Sequence, residues 1–302
     1  MKAAVIRAYG GPEVLRYEEL PDPTPGVGEV LVRVAASSVN PFDWKLRSGA
    51  YKEEYPLAFP AILGVDVSGS VEAVGSGVNE FRAGDRVFAN ASQTYASLCV
   101  VKATNLAKVP GQMELAGIAA LPTVTLTGAQ LAELATGGKG RGAILVTGAA
   151  GNVGRSAVFA AKNKGWSVIA GVRKSQAEEA KSIGADRILA LDDDSAVRSL
   201  EPLDAVADTV SGSIADVLIG KVKKGGVFAS VLAAPTNSTA YPDVRVETMQ
   251  VKAAPATLLR MAEAVHAGKL VIPLGDRFSL ADAGKAHLAA ENGARGKLLL
   301  LA

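Results

Sequence analysis

The sequence predicts an α/β protein with two parts: a β-rich domain and a domain built on a doubly wound parallel sheet. Up to about residue 110 the segments are short, rich in β formers and broken by turn formers, as in PDPTPGVG at Pro21 to Gly28. From about residue 116, helical patterns alternate with short apolar runs, which is typical of parallel strands joined by helices. A glycine-rich turn directly follows the first of those runs.

The domain boundaries follow from this change of pattern. We expect the β-rich domain at residues 1–115 and 255–302, and the parallel-sheet domain at 116–254. The strands of the second domain are predicted at 143–147, 167–172, 187–190, 204–208, 227–232 and 246–251. A helix from Pro255 to about Ala267, a helix from Ser279 to Glu291 and a final LLLL strand exceed what this sheet needs. We expect them to return to the first domain.

The segment from Ala143 to Gly165 (AILVTGAAGNVGRSAVFAAKNKG) joins an apolar run, a glycine-rich turn and an amphipathic stretch without a spacer. Small residues at Ala149, Gly151 and Gly154 allow a sharp turn, a close approach of the backbone to a pyrophosphate, and tight packing of the helix on its strand. The N–H groups at the helix start then face the anion. Ala149 replaces the first glycine of the G-x-G-x-x-G fingerprint, but the strand before and the helix after it predict a dinucleotide site.

The residues after the second predicted strand indicate which dinucleotide is bound. The strand Ser167–Val172 should end beside the adenosine ribose, where a carboxylate normally holds a 2′-hydroxyl and cations hold a 2′-phosphate. The chain has Arg173 and Lys174 at this place, which favours NADPH over NADH. Alternatively, both cations lie in a solvated loop before a helix that Ser175 and Glu178 begin as a capping box.

Composition narrows the class of function. Of the 302 residues, 49% are hydrophobic and 21% are charged, and the formal net charge is +2, as in an ordinary globular enzyme. The densest basic cluster, Lys221 to Lys224, is short and has no aromatic neighbours. We therefore expect a small-molecule substrate and no nucleic-acid partner.

Two further features bear on location. One cysteine, Cys99, cannot form an internal disulfide, and Met1 to Arg7 has no apolar core long enough for a secretory signal, so a cytoplasmic location is expected. The uncharged run from Leu115 to Ala132 has the length of a membrane span, but Pro122, threonines and glycines interrupt it. We interpret it as a buried connector and expect no membrane span.

Four segments carry a family pattern: SVNPFDWKLRSG (Ser38 to Gly49), FPAILGVDVSGSVEAVGSGVNEFRAGDRV (Phe59 to Val87), LPTVTLTGA (Leu121 to Ala129) and the VTGAAGNVG turn. Through them, nearly the whole chain resembles the medium-chain dehydrogenase/reductase superfamily, and specifically its zinc-free quinone oxidoreductase branch. The resemblance implies a GroES-like substrate domain with a Rossmann domain inserted in it. It also implies a homodimer joined through the sheet edges of the nucleotide domains.

Three positions indicate the branch of the superfamily. Zinc-dependent members hold the metal with a cysteine in a C-x-x-D segment, a histidine in a G-H-E segment, and a cysteine four residues before a threonine. The resemblance places Asn40, Val65 and Thr123 at these positions. Amide, alkyl and hydroxyl groups cannot form the three-ligand site of catalytic zinc, and the chain has one Cys and two His. No metal is expected, and His266 and His287 are interpreted as surface or packing residues.

Without zinc, nothing in the predicted site polarises an alcohol, so the substrate must be easily reduced. Quinones and α,β-unsaturated carbonyls qualify, because a conjugated acceptor takes up hydride while hydrogen-bond donors stabilise the developing oxyanion. By family position, Asn40 is expected to donate to the substrate oxygen, Asp43 to fix the surrounding turn, and Tyr51 to be a second donor or proton source. Alternatively, Asn40 is a turn former before Pro41 and Tyr51 is a half-exposed loop aromatic.

The resemblance also implies a set of cofactor contacts. They are Thr127 on the nicotinamide side, Ala150, Gly151, Asn152 and Val153 at the pyrophosphate, Val210 and Ser211 after the fourth strand, Ser230, Val231 and Leu232 at the end of the fifth strand, and Lys297 in a terminal G-K pair. For the strand-end positions and Lys297, ordinary packing is the competing interpretation.

Three functional hypotheses follow. The first is an NADPH-dependent reductase of quinones or of enones such as alkenals, and the choice between these acceptors stays open. The second is a non-catalytic role, as in zeta-crystallin-like relatives that bind RNA. The third is a partner-bound sensor of NADPH, as proposed for vesicle-amine-transport-like members. The aromatic content of 5% argues weakly against a pocket that sandwiches large planar quinones.

Overall fold

The protein is described by a computed structural model that covers residues 1–138 and 140–302. The chain divides into two compact units. The first consists of Met1–Thr123 and Ala253–Ala302, and the second is Val124–Lys252. These divisions lie close to the predicted domain boundaries at 115/116 and 254/255.

The part of the first unit before the insertion is mostly β structure. Its elements are β1 (Lys2–Ile6), β2 (Arg16–Glu19), β3 (Glu29–Ser38), α1 (Pro41–Ser48), β4 (Ala61–Ile62), β5 (Asp66–Val74), β6 (Arg86–Asn90), β7 (Leu98–Lys102), β8 (Ala107–Lys108) and α2 (Leu115–Ile118). Next, α3 (Pro122–Thr136) starts at the division between the units and lies mostly in the second.

The second unit alternates strands and helices, and four elements after it complete the first unit. The second unit continues with β9 (Ala143–Thr147), α4 (Asn152–Asn163), β10 (Ser167–Val172), α5 (Ala177–Ala180), β11 (Arg187–Ala190), α6 (Asp194–Arg198), β12 (Leu203–Asp208), α7 (Ser213–Leu218), β13 (Val222–Ser230) and β14 (Arg245–Thr248). The returning elements are α8 (Pro255–His266), β15 (Leu274–Ser279), α9 (Ala283–Glu291) and β16 (Lys297–Leu301).

The two units have different sheets, and the predicted α/β fold class is confirmed. The first unit has a sheet in the order β15-β16-β3-β5-β6-β8, with β7 also paired to β3, and a smaller sheet β2-β1-β4. The second unit has a parallel sheet in the order β11-β10-β9-β12-β13-β14. Counted along this unit, the order is 3-2-1-4-5-6, the doubly wound arrangement that places ligands beyond the carboxyl ends of the strands.

The register of the first sheet positions the side chains described below. β16 pairs antiparallel with β3, with Leu299 opposite Ser38, and the Val39 N–H donates to the Leu298 carbonyl at 3.0 Å. The start of β16 therefore lies beside the residues that follow β3. β5 pairs with β3 on its other side, with Val67 opposite Ser37, so the start of β5 reaches the same place.

The first three predicted strands of the parallel sheet are confirmed with their bounds, and the fourth begins one residue earlier, at Leu203. The prediction for the fifth was wrong at both ends: β13 is already paired with β12 at Val222 and ends at Ser230. The sixth ends at Thr248 rather than 251, because Thr248 pairs with Ser230 and the partner strand stops there. In a parallel pair, one strand cannot extend the ladder alone.

One helical prediction also differs in detail, and another agrees with the structure. The helix predicted from Ser279 begins at Ala283, because Ser279 is still paired with Leu301 in the sheet and a short 3₁₀ turn follows. The helical stretch Leu115–Thr136 contains an 18-residue window with a mean hydropathy of 1.4, and by length and composition it could cross a membrane. Of that window, 72% is buried inside the structure, which agrees with the prediction of a buried connector.

Candidate functional site

Asp66, the first residue of β5, is the centre of a buried polar group in the first unit. Its Oδ2 accepts hydrogen bonds from Ser38 Oγ and, at 2.8 Å, from Asn40 Nδ2. Its Oδ1 accepts from both the N–H and the hydroxyl of Thr123, each at 2.7 Å. Asn40 and Thr123, two of the three residues that the family resemblance assigns to zinc-ligand positions, are thus bonded to one carboxylate.

The third such position contributes only its backbone. Asn90 Nδ2 donates to the Val65 carbonyl at 3.0 Å and to Thr123 Oγ1 at 2.8 Å. Neither Asp66 nor Asn90 was identified from the sequence. A signal for Asp66 was present, because it follows Val65 at the acidic position of the segment that reads G-H-E in zinc-dependent relatives. Among the described residues, no group of three or more His, Cys, Asp and Glu side chains could hold a metal ion.

Lys297 lies next to this group, because the pairing of β16 with β3 brings the first residue of β16 beside Asn40. Its Nζ donates to the Val39 carbonyl at 3.0 Å and to Asn40 Oδ1, and it lies 3.8 Å from Asp66 Oδ2. Lys297 is only 4% exposed. Burial lowers the pKa of its amine, and the charges of Asp66 and Asp43 act against that shift. The structure therefore joins Lys297 to Asn40, and its predicted contact with a cofactor stays a prediction.

Asp43 lies in the first turn of α1, which starts directly after Asn40. Its Oδ2 accepts from the Asn40 N–H at 2.8 Å and from Tyr95 Oη at 3.0 Å. Its Oδ1 is buried without a hydrogen-bond partner among the described residues. Burial raises the pKa of Asp43 to about 7, although the Asn40 hydrogen bond opposes the shift. The side chain of Asn40 does not cap the helix, since it is bonded to Asp66 and Lys297 instead.

A chain of hydrogen bonds leads from Asp43 to His287 on α9. Arg47 can only donate, so His287 Nδ1, 3.3 Å from Arg47 Nη1, must be the acceptor. The proton of the neutral ring is then on Nε2, which donates to Tyr95 Oη at 3.1 Å. Burial lowers the pKa of His287 to about 3, and the Arg47 charge adds to this. Of the two histidines interpreted as surface or packing residues, His287 is buried in this network and His266 is exposed.

Tyr51 lies in a different environment, just beyond the end of α1. It is half-buried, and its hydroxyl lies 3.3 Å from Lys45 Nζ, which donates to it. Its ring centroid is 5.9 Å from that of Phe42 and 6.3 Å from that of Tyr55. Although the chain has few aromatic residues, several gather here, which composition alone did not reveal. The structure places Tyr51 in this aromatic cluster rather than in the group around Asp66.

In the second unit, the glycine-rich turn has the backbone that a phosphate site requires. Gly148 has φ +59°, in the left-handed region, and a Cβ on Gly154 would clash with the Gly148 carbonyl and lie 2.6 Å from Ala149 Cα. The Gly151 N–H is bonded within the turn, to the Gly148 carbonyl at 2.9 Å. Gly151 provides no side-chain cap for α4. The first N–H groups of α4, from Asn152 and Val153, therefore have no acceptor within the helix.

The side chain of Arg155 on α4 holds the glycine-rich turn in place. Its Nε donates to the Ala150 carbonyl at 2.9 Å, and its Nη2 is paired with Glu179 on α5. Arg155 could not be identified from the sequence, because an arginine in an amphipathic helix resembles an ordinary surface residue. Its side chain is nevertheless buried, and it connects the glycine-rich turn to the helix after Arg173.

Asp208 organises the carboxyl edge of the parallel sheet, at the end of β12. Its carboxylate accepts from Thr147 Oγ1 at 2.7 Å, from Ser230 Oγ at 2.9 Å and from the N–H of Val210 at 3.1 Å. It thereby joins the ends of β9, β12 and β13. Ser211 has φ +64°, and its N–H also donates to Asp208.

The predicted cofactor residues that follow β12 and that end or follow β13 lie at that edge. Val210 and Leu232 are exposed there, and Ser230 Oγ accepts from the Leu232 N–H at 3.1 Å. Val231 and Leu232 lie beyond the strand rather than in it. Thr127 is half-buried in α3.

Arg173 and Lys174 directly follow β10, and both are exposed. In residues 1–138 and 140–302 neither side chain forms an ion pair, whereas the Lys174 N–H donates to Asp192 Oδ1 at 2.7 Å. The predicted capping box of Ser175 and Glu178 is wrong. The chain turns first through a 3₁₀ helix, and the Gln176 side chain accepts from the Arg173 N–H at 3.3 Å.

Comparison with known proteins shows similarity along almost the whole chain. Residues 26–136 match the alcohol dehydrogenase GroES-like domain, and residues 183–300 match a family described as zinc-binding dehydrogenase. The chain is 31% identical to a chloroplast envelope quinone oxidoreductase homolog of Arabidopsis thaliana, over 99% of this chain and 98% of that protein. It is 32% identical to an NADPH-dependent alkenal/one oxidoreductase of the same plant, over 78% of this chain and 64% of that protein.

Solved structures agree with this. A quinone oxidoreductase from Coxiella burnetii has a TM-score of 0.89 at 29% identity and covers 100% of this chain and 99% of its own. A mycobacterial protein complexed with NADPH has a TM-score of 0.84 at 30% identity, with both chains covered completely. An NAD-dependent alcohol dehydrogenase has a TM-score of 0.87 at 28% identity, also with complete coverage. Proteins with this fold therefore include users of more than one nicotinamide cofactor and more than one substrate class.

Proposed function

The chain belongs to the quinone oxidoreductase branch of the medium-chain dehydrogenase/reductase superfamily, and on this basis we propose that it reduces conjugated carbonyl compounds with NADPH, without a metal. The observation that carries the proposal is the hydrogen-bonded group around Asp66. Asn40 and Thr123 stand at zinc-ligand positions, but their side chains are bonded to the Asp66 carboxylate. The groups that can act on a substrate oxygen are then an amide, an ammonium and hydroxyls. Such hydrogen-bond donors are sufficient for an acceptor that is easily reduced.

The residues of the second unit fit a dinucleotide. A Cβ at position 154 would clash with backbone atoms of the turn, so only glycine fits there. The N–H groups of Asn152 and Val153 at the start of α4 are available to a pyrophosphate. When bound, the dinucleotide supplies the hydride. The chain's contribution is to hold it by these N–H groups and to present the ordered edge around Asp208 to its nicotinamide half.

NADPH rather than NADH is favoured by the cations after β10. Arg173 and Lys174 are exposed and free of ion pairs within the described residues, so their charges are available to a 2′-phosphate. The place where a carboxylate would hold the ribose of NADH has two cations instead. The alkenal/one oxidoreductase relative is NADPH-dependent by name, and one structural neighbour is complexed with NADPH, which supports the same preference.

The acceptor is a quinone or an enone. Relatives are named for both, and each acquires an oxyanion when it takes up hydride. The aromatic cluster of Phe42, Tyr51 and Tyr55 offers a surface for a planar acceptor. This cluster weakens the case against quinones that rests on the low aromatic content.

A direct assay tests the proposed function. Purified protein is mixed with NADPH and, in parallel, with 1,4-benzoquinone, 9,10-phenanthrenequinone or 2-hexenal, and loss of NADPH absorbance is followed with and without a chelator. We expect turnover with at least one class, at a rate that the chelator does not change and that falls when NADH replaces NADPH. The faster class identifies the acceptor.

The same assay separates the competing hypotheses. A sensor or an RNA-binding protein of the zeta-crystallin type would bind NADPH without oxidising it in the presence of either acceptor class. That result would overturn the proposed activity. Salt-sensitive RNA binding or a co-purifying protein would then distinguish the two alternatives.

We also propose a homodimer in the cytoplasm. β14 is the outer strand of the parallel sheet, which leaves an edge through which two copies can pair. Sedimentation equilibrium tests the dimer, and cell fractionation tests the location, for which the lone, buried Cys99 is the supporting feature.

A further inference from the structure

The Asn40 amide is held between two opposite charges, and this fixes which way it faces. The Lys297 ammonium can only donate, so it must face Asn40 Oδ1, whereas the Asp66 carboxylate can only accept, so it must face Nδ2. Within the part of the chain that the structure describes, Asp66 is the acceptor of Nδ2, and one Nδ2–H remains unused. Two charged neighbours thus orient an amide that alone could flip.

The same contacts change how strongly the amide donates. A cation on the carbonyl oxygen draws electron density from the amide nitrogen, so its N–H groups become better donors. Asn40 is 2% exposed and Lys297 is 4% exposed, so bulk water screens this polarisation little. The Asp66 carboxylate also accepts hydrogen bonds from Ser38 and Thr123, and these bonds hold the carboxylate in place.

We propose that Lys297 is a positioning residue that polarises Asn40, so that the unused Nδ2–H of Asn40 stabilises the oxyanion of the acceptor. This inference rests on the proposed function. The acceptor carbon gains a hydride from the C4–H bond of NADPH, the conjugated π electrons shift so that the carbonyl oxygen takes up the negative charge, and water later supplies the proton, with NADP⁺ as the oxidised product. The negative charge on that oxygen is largest in the transition state and after it. Polarisation by Lys297 therefore lowers the barrier more than it strengthens substrate binding.

The kinetic test replaces the charge and keeps the length of the chain. Lys297→Met is compared with Lys285→Met, in which an exposed lysine of α9 is changed in the same way. We expect Lys297→Met to lower kcat about tenfold or more and to leave the KM for NADPH within about twofold. The fall should be larger with 2-hexenal than with 1,4-benzoquinone, since an enolate is more basic than a hydroquinone anion. Lys285→Met should retain wild-type kcat.

A binding experiment tests the inference without turnover. In the presence of NADP⁺, the affinity for 4-nitrophenolate, an oxyanion, is measured beside that for 4-nitroanisole, which has none. We expect Lys297→Met to weaken binding of the phenolate about tenfold and binding of the anisole less than twofold. If wild type fails to oxidise NADPH with any acceptor, the proposed function fails, and this titration alone decides the role of Lys297.

Lys297→Met leaves Asp66 as an unpaired buried charge, which can unfold a protein. The double variant Asp66→Asn/Lys297→Met removes both charges and is the second test. It should fold, as judged by circular dichroism, and show the same selective loss for the phenolate. Lys297→Arg, which retains the charge, should recover part of it. Unchanged kcat and phenolate affinity in a folded variant, or equal loss for phenolate and anisole, would overturn the inference.

Discussion

At the scale of residues, the proposed preference for NADPH rests on Arg173 and Lys174. If they bind the 2′-phosphate, Arg173→Ala/Lys174→Ala should raise the KM for NADPH about 10- to 100-fold, because each loses a charge-assisted hydrogen bond. The KM for NADH should change little. Lys181→Ala is the matched control, since Lys181 is an exposed lysine of the following turn that pairs with Glu178. Equal changes for both nucleotides would contradict the assignment.

His287 provides a residue-scale prediction about pH. Its pKa is lowered to about 3 in the folded protein, so between that value and its ordinary value the unfolded chain binds one more proton. Its contribution to stability is therefore present above about pH 6.5 and is lost as the pH falls. We compare urea unfolding of wild type and His287→Gln, which retains hydrogen-bonding groups, from pH 4 to pH 8.

The difference in free energy of unfolding, wild type minus His287→Gln, should rise by about 1.4 kcal/mol per pH unit up to about pH 6.5 and then level off. Taking the difference removes the contribution of Asp43, whose raised pKa of about 7 gives the opposite slope in both proteins. A difference that is flat between pH 4 and pH 6.5 would mean that His287 is not held neutral in the fold.

The sequence marks single residues as candidates where a local motif or a family position points to them, as with Asn40 and Arg173. Their partners were not predictable, because the contacts join distant parts of the chain. Tyr95 and Asp43 are 52 positions apart, and Lys297 and Asn40 are 257 apart. The spacing of residues along the sequence does not predict contacts between residues so far apart in the chain. The pairing of β16 with β3 had to be known before Lys297 could be assigned to Asn40.

At the scale of elements, strands were well predicted where an apolar run ends at a turn former, as in β9, or at charged residues, as in β10. The errors occurred where the neighbouring strand in the sheet, rather than the sequence of the strand itself, determines where the strand ends. Thr248 stops β14 because β13 ends opposite it, and Ser279 extends β15 because β16 is still there to pair with. Pairing partners are tertiary information, and a local pattern does not contain them.

The glycine-rich turn leads to an element-scale prediction. In Gly154→Ala the new Cβ meets backbone atoms of Gly148 and Ala149, which cannot rotate away. We expect a loss of about 1–3 kcal/mol in the free energy of unfolding, despite the better helix propensity of alanine, and weaker NADPH binding because the turn must shift. Gly140→Ala is the control, since a Cβ at that position would meet no atom of the described residues within 4 Å. Equal stability of both variants would contradict a tightly packed turn.

At the scale of the whole molecule, composition and alternation predicted a two-part α/β chain, and the doubly wound sheet of the second unit confirms that class. Prolonged treatment with 1,10-phenanthroline should leave both the midpoint of thermal unfolding and the turnover unchanged. The reason is the chemistry of Asn40, Val65 and Thr123, which the family resemblance assigns to the metal-ligand positions and whose amide, alkyl and hydroxyl groups cannot form a catalytic zinc site. A loss of either property that zinc restores would contradict a metal-independent site.

Hydride transfer from NADPH to a conjugated acceptor is the central step of the proposed function. The most direct test is single-turnover oxidation of NADPH, either unlabelled or deuterated at both C4 positions, by 1,4-benzoquinone and by 2-hexenal in the presence of excess protein. We predict that at least one acceptor oxidises the nucleotide and that deuterium slows this step, because the labelled bond breaks in it. Failure of both acceptors, or oxidation that deuterium leaves unchanged in rate, would contradict hydride transfer.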